Sequence, residues 1–206
     1  MIVIDYAYGK FSEVNHLNSN FRPGINKIKM TIDVISPREV YRKIYPIAIR
    51  QFHDLFPNLR NHDCCQEKAS GVEECADLTN GTQNYALNIL HLMEHVIIDI
   101  QCTITKMKKC SGITCNYHKP PNRFDIFVEC IDKKIGYASA SKVSELVQQL
   151  LNYNRYYGEE NQLKDFEHII KCNNSNNDFS DSSTLLHDFC SYIDQIVLNP
   201  QEFMKN

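Results

Sequence analysis

The longest apolar segment of the chain, residues 85–103, carries its polar residues on one side of a predicted helix. At 3.6 residues per turn, six polar positions fall within a sector about 140° wide: Asn84, Asn88, His91, Glu94, His95 and Asp99. Apolar residues occupy most other positions, and the polar stripe contains no lysine or arginine. A solvated helix face usually carries such basic residues, so we interpret the stripe as the lining of a cleft. The alternative is an ordinary amphipathic helix that happens to contain two histidines.

Period-two alternation predicts two strands, at residues 27–34 and 123–131, and the mixed second face of the later strand indicates burial on both sides. Helical periodicity predicts a helix that ends at Pro57 and two more at 137–153 and 184–199. Residues 58–83 are predicted to be a loop, 106–122 an irregular basic segment, and 173–183 a polar linker. The fold class is therefore α+β, with helices packed on a small β-sheet, a flexible linker and a C-terminal helix. We place one domain at 1–160 and a helical extension at 161–206.

Composition narrows the function classes. The 206 residues are 43% hydrophobic and 23% charged, with a formal net charge of -3, which is typical of a globular protein without a basic field for nucleic acid. No uninterrupted apolar run reaches about 18 residues, and residues 1–5 lack the flanks of a signal peptide. We expect a cytoplasmic protein that binds neither nucleic acid nor membrane. The pattern leaves the oligomeric state open.

The nine cysteines are odd in number and lack repeated C-x-x-C pairs. Free, buried thiols are the expected state, because unpaired cysteine is among the most buried residue types. One cluster has suitable types for a structural metal site as an alternative: His62, Cys64, Cys65 and Cys75.

The stripe contains the order His-x-x-Glu-His, at residues 91–95. Histidines four residues apart lie one helical turn apart and can share one metal ion. The same order is found in inverted zincins, where both histidines hold zinc and the glutamate between them transfers protons. His91 and His95 are therefore candidate zinc ligands, and Glu94 is the candidate general base.

The surrounding motifs, in order, resemble the N-terminal domain of cyanophycin synthetase over roughly residues 27–155. The resemblance rests on a Phe-Pro-Asn-Leu turn at 56–59, cysteines from 64 to 75, Gly-Thr at 81–82, the motif helix through Gln101, Phe-Val-Glu-Cys at 127–130 and Gly-Tyr-Ala at 136–138. That domain is understood to hold a polymer with an aspartate backbone and arginine on each side chain. Some members have a metallopeptidase-like site that clips the polymer. This chain carries neither the ATP-grasp nor the ligase part, so the resemblance implies a free-standing version of the first domain.

The resemblance implies a ligand set of His91, His95 and Glu129 for Zn²⁺. Three protein ligands with one open position are what a catalytic zinc requires. More distant inverted zincins take a glutamate about 70 residues after the second histidine, which favours Glu160 or Glu167 instead. Glu129 would then be an ordinary strand carboxylate.

The chain departs from the family between the motif helix and the strand that carries Glu129. The family has Gly-Arg-Thr-Arg, whereas residues 112–115 are Gly-Ile-Thr-Cys. His118, Lys119 and Arg123 are candidates to replace those arginines at a carboxylate or an oxyanion. Asp99, one turn after His95, is a candidate partner for a ligand imidazole.

Two functions follow. The first is a zinc-dependent peptide hydrolase that acts on cyanophycin or a related Asp/Arg polymer, with water as the nucleophile. The second is a non-catalytic module that binds cyanophycin or regulates its use without metal. A metallopeptidase for some ordinary peptide is a weaker third.

Overall fold

A computed structural model of the protein describes residues 1–56 and 84–157, together with the single positions 59 and 191. The elements in chain order are strand β1 (Ile2–Gly9), strand β2 (Lys27–Asp33), helix α1 (Arg38–Leu55), helix α2 (Tyr85–Thr105), strand β3 (Gly112–Asn116), strand β4 (Arg123–Glu129) and helix α3 (Lys133–Tyr157). A short 3-10 turn at Ser12–Val14 lies between β1 and β2.

The four strands form one antiparallel sheet in the order β1-β2-β4-β3. β2 and β4 occupy the centre, where Ile28, Met30 and Ile32 pair with Val128, Ile126 and Phe124. These six side chains are all buried and point to the same face, because paired residues in an antiparallel ladder share a side. β1 and β3 are the two edges of the sheet.

The helices cover this face. α2 packs over β3 and β4, α3 over β1 and β2, and α1 packs against α2 and α3. The apolar positions of α2 join the strand residues in one hydrophobic core that includes Met93, Val96 and Ile97. The arrangement places α2, the helix with the polar stripe, along the β3 edge of the sheet.

Residues 10–26 cover the opposite face of the sheet, which we call the outer face. Val14 and Phe21 of this segment pack against Phe127 of β4 in a second, smaller apolar cluster. Phe127 is therefore buried on the side away from the helices. The predicted burial of β4 on both faces is confirmed.

The α+β class with helices on a small sheet is confirmed, as are both predicted strands and the helices ending near Pro57, at 85–103 and at 137–153. α3 begins earlier than predicted, at Lys133, where the Asp132 carboxylate accepts hydrogen bonds from the backbone N–H groups of Lys134 (2.8 Å) and Ile135 (3.0 Å). The interpretation of 106–122 as wholly irregular is wrong, because β3 lies within it. β1 was not predicted either.

The predicted loop at 58–83, the linker at 173–183 and the helix at 184–199 lie almost wholly outside the described residues. Among the helices that are described, none is long and apolar enough to cross a membrane.

Candidate functional site

α2 presents the two histidines of the motif on adjacent turns. Its first turn is capped by Asn84, whose side-chain oxygen accepts a hydrogen bond from the Leu87 N–H at 3.2 Å. His91 and His95 are both buried, and their Nε2 atoms lie 2.9 Å apart. The ring planes are inclined at 70° with centroids 4.6 Å apart. The two imidazoles therefore converge on a single point through the same ring nitrogen.

This convergence fits one metal ion. Two Zn–N bonds of about 2.05 Å at a tetrahedral angle hold their nitrogens about 3.3 Å apart, so a small rotation of either ring would accommodate zinc. A direct N–H···N hydrogen bond between the rings, with one histidine as donor, fits the same distance. His91 and His95 can therefore supply two ligands of a zinc site.

Glu94 packs against β3. The Thr114 hydroxyl donates a hydrogen bond to Glu94 Oε2 at 2.6 Å. Gly112 lies under the same carboxylate, where a Cβ would come within 2.7 Å of Oε1, 2.9 Å of Cγ and 3.0 Å of Cδ. Glycine is therefore the only residue that lets the carboxyl group approach this closely.

We predict that Gly112→Ala moves Glu94 and lowers any activity that depends on it. A displacement near 1 Å of a reacting group can cost about 10²-fold in rate, so we expect any hydrolysis that requires Glu94 to fall by about 10- to 100-fold. Gly9→Ala is the matched control, because its Cβ would meet only Phe11 at 3.7 Å. Equal hydrolysis rates in the two variants would show that the fit of Glu94 over Gly112 is unimportant.

Sequence reasoning did not identify Gly112 and Thr114 as site residues. Both pair with core-facing residues of β4, Val128 and Ile126, and so share the face that carries α2. The positions where the family has arginine, Ile113 and Cys115, pair with Phe127 and Asp125 on the outer face. The departure from the family's Gly-Arg-Thr-Arg sequence therefore leaves the two positions beside Glu94 unchanged.

Cys115 is not a candidate nucleophile. Burial, followed by the negative charges of Glu94 and Asp125, raises the pKa of its thiol to about 12. The group is therefore protonated at neutral pH, whereas nucleophilic cysteines react as thiolates.

The structure places Glu129 on the outer face of the sheet, with the sheet between its carboxylate and the two histidines. Oε1 accepts a hydrogen bond from the Arg22 backbone N–H (2.6 Å), and Oε2 from the Arg22 side chain (2.8 and 3.0 Å) and the Ser111 backbone N–H (3.3 Å). The side-chain hydrogen bonds to Glu129 raise the pKa of the Arg22 guanidinium. The structure does not bring Glu129 together with His91 and His95, because the period-two alternation of β4 turns residue 129 to the same side as Phe127.

The weaker candidates are distributed differently. Asp99 is buried on α2, one turn beyond His95. His118 and Lys119 are exposed in the turn between β3 and β4. Arg123 forms a two-point ion pair with Asp33, at 2.8 Å for each hydrogen bond. Of these four residues, Asp99 is the one that shares the helix with the histidines.

Within residues 1–56 and 84–157, no three histidine, cysteine, aspartate or glutamate side chains gather as a metal-binding group. Glu160 and Glu167, the alternatives for a third ligand, lie outside the described residues, as does the His62, Cys64, Cys65 and Cys75 cluster. The described part of the site thus consists of two converging imidazoles and a fixed carboxylate.

The family model for the cyanophycin synthase-like N-terminal domain matches residues 28–152. No curated protein matches the chain. The matched range begins in β2 and extends into α3, so it includes α2, β3 and β4.

Proposed function

Because the chain belongs to the cyanophycin synthase-like N-terminal domain family, we propose that it is a zinc-dependent peptide hydrolase acting on cyanophycin or a related Asp/Arg polymer. The observation that carries the proposal is the convergence of His91 Nε2 and His95 Nε2 at 2.9 Å beside a buried, oriented Glu94. Two ring nitrogens directed at one point are the arrangement that a shared metal ion requires.

His91 and His95 would hold the zinc ion, with a third ligand from Glu160 or Glu167. Zinc, when bound, supplies the Lewis acidity that makes water a nucleophile near neutral pH. Glu94 takes a proton from the attacking water and delivers it to the leaving peptide nitrogen. The Thr114 hydroxyl bonds Oε2 and holds the carboxylate in one orientation during both transfers.

The charge of the site supports a cationic polymer as substrate. α2 contains no lysine or arginine along its 21 residues, and both of its carboxylates, Glu94 and Asp99, are buried on the polar stripe. Arginine side chains of an Asp/Arg polymer would meet negative charge and find no competing cation on this helix.

Zinc content tests the metal site separately from activity. We expect about one zinc per chain in protein purified from zinc-replete medium, and loss of that zinc in the His91→Ala, His95→Ala double variant, since two of its ligands are removed. His16→Ala is the control, because His16 is exposed and lies on the segment that covers the outer face. Elemental analysis by mass spectrometry measures the ratio. Wild-type protein without zinc would contradict the enzyme proposal.

The second candidate is a cyanophycin-binding module without metal. It is favoured by the finding that the described residues offer only two ligands, and by the fit of the imidazole pair to a direct hydrogen bond. In that case the double histidine variant would change polymer binding, while neither wild type nor variant would contain zinc or release products from the polymer.

A further inference from the structure

β3, the edge strand beside Glu94, directs some of its backbone N–H and C=O groups away from β4, its neighbour in the sheet. The Glu129 N–H donates to Ser111 C=O at 2.8 Å, and the Tyr117 N–H donates to Arg123 C=O at 2.9 Å. Residues that bond the partner strand alternate with residues that do not. The backbone groups that bond β4 therefore belong to Ser111, Ile113, Cys115 and Tyr117. The N–H and C=O groups of Gly112, Thr114 and Asn116 point the other way, to the edge of β3 that faces away from β4.

One end of this edge is closed by the segment that covers the outer face. Asn18 Nδ2 donates a hydrogen bond to the Gly112 C=O at 2.7 Å. Among the described strands, none pairs with β3 on this side. Among the residues that the structure describes, the part of this edge without a partner thus begins at Thr114 and continues through Asn116.

Thr114 links this open edge to the candidate general base. Its hydroxyl binds Glu94 while its backbone N–H and C=O are directed to the edge. An extended chain that pairs with the backbone of Thr114 would therefore lie next to the residue that binds the Glu94 carboxylate. The carboxylates of α2 and its lack of cations favour a chain with positively charged side groups.

We propose that the edge of β3 that faces away from β4 binds the extended backbone of the Asp/Arg polymer as an added strand, through the backbone groups of Thr114 and Asn116. This inference rests on the proposed polymer substrate and adds how the polymer is held. Main-chain hydrogen bonds at a sheet edge supply affinity in this mode, and alternate side groups point to opposite faces. Half of the arginine groups would then face α2.

Asn116→Pro tests the backbone donor. The change removes an N–H that does not bond β4, and proline is tolerated on an edge strand in that position. Asn116→Ala is the matched control, since it removes the side chain and keeps the N–H. Both are made in a Glu94→Gln background, so that binding is measured without turnover. The probe is a short synthetic oligo-aspartate with arginine joined to each side chain, and its affinity is measured by calorimetry.

We expect Asn116→Pro to weaken binding about tenfold, and Asn116→Ala to remain within about twofold of its parent. A second probe, the same oligomer N-methylated at every backbone position, should bind the parent at least about tenfold more weakly, because methylation removes the donors on both edges of the extended oligomer. Should Asn116→Pro fail to fold, the methylated probe decides the matter with the edge intact. Equal binding of the two probes would overturn the proposal.

These outcomes are separate from those of the proposed function. A protein with zinc and hydrolysis that binds both probes equally loses the added-strand inference alone. A protein without zinc that discriminates between the probes loses the enzyme proposal and keeps the inference.

Discussion

Replacement of Glu94 by glutamine is expected to abolish the proposed hydrolysis of the polymer while leaving the fold and any bound zinc intact. Glutamine has nearly the same size as glutamate and can still accept the Thr114 hydrogen bond, so the packing over Gly112 is kept. It cannot take a proton from water at neutral pH. Since general base catalysis typically contributes about 10²- to 10⁴-fold, we expect product release to fall by at least about 100-fold. Release of dipeptides or shorter chains from purified cyanophycin measures the effect.

Glu145→Gln is the control for this prediction. Glu145 lies on α3 and is 37% exposed, where it pairs with Lys142 at 3.0 Å. Loss of its charge should leave hydrolysis unchanged, because a surface ion pair of this kind contributes little to the stability of the fold. If Glu94→Gln kept full hydrolysis with native zinc content, Glu94 would not be the base and its contacts with β3 would be structural.

The polar stripe of α2 could be predicted because it depends only on the spacing of residues along one helix. A helix of 21 residues repeats its period several times, so the side on which His91, Glu94 and His95 fall follows from spacing alone. The contacts that orient Glu94 are not local. Thr114 is 20 residues away in sequence, and its bond to Glu94 depends on how β3 docks beside α2.

The position of Glu129 shows a different limit. Alternation along β4 correctly separated Phe124, Ile126 and Val128 from Phe127 and Glu129, but it could not show which set faces α2. Both sets contain large apolar residues, because residues 10–26 build a second cluster on the outer face. A strand that is buried on both sides carries no hydrophobic signal for which layer lies on which side.

β3 was missed for a related reason. Its five residues, Gly-Ile-Thr-Cys-Asn, are few, and their side chains are only partly buried. A short edge strand has little alternation to detect, and glycine at its start is unfavourable to a strand assignment. The β-branched pair Ile113-Thr114 was the available signal. Gly112 is retained there by the close approach of Glu94 rather than by strand propensity.

Arg22→Ala is expected to lower the stability of the protein. The Glu129 side chain is only 1% exposed, and the variant leaves its carboxylate with hydrogen bonds from two backbone N–H groups and with the nearby charge of Lys27. A buried carboxylate deprived of its ion partner is strongly destabilising, although the 43% exposure of the Arg22 side chain screens part of the interaction. We therefore expect the free energy of unfolding to fall by about 2 kcal/mol, measured by urea denaturation.

Replacement of Glu129, the partner of Arg22, should cause a smaller loss of stability. In Glu129→Gln the guanidinium of Arg22 can turn to solvent and the amide oxygen still accepts a backbone hydrogen bond, so we expect a loss of about 1 kcal/mol. Arg42→Ala, an exposed arginine of α1, is the control and should stay within about 0.5 kcal/mol of wild type. Zinc content shows whether the Glu129 carboxylate is a zinc ligand or only the ion partner of Arg22. Because the sheet lies between Glu129 and the histidines, both Arg22→Ala and Glu129→Gln should retain zinc. Loss of zinc from Glu129→Gln alone would instead make this carboxylate the third ligand.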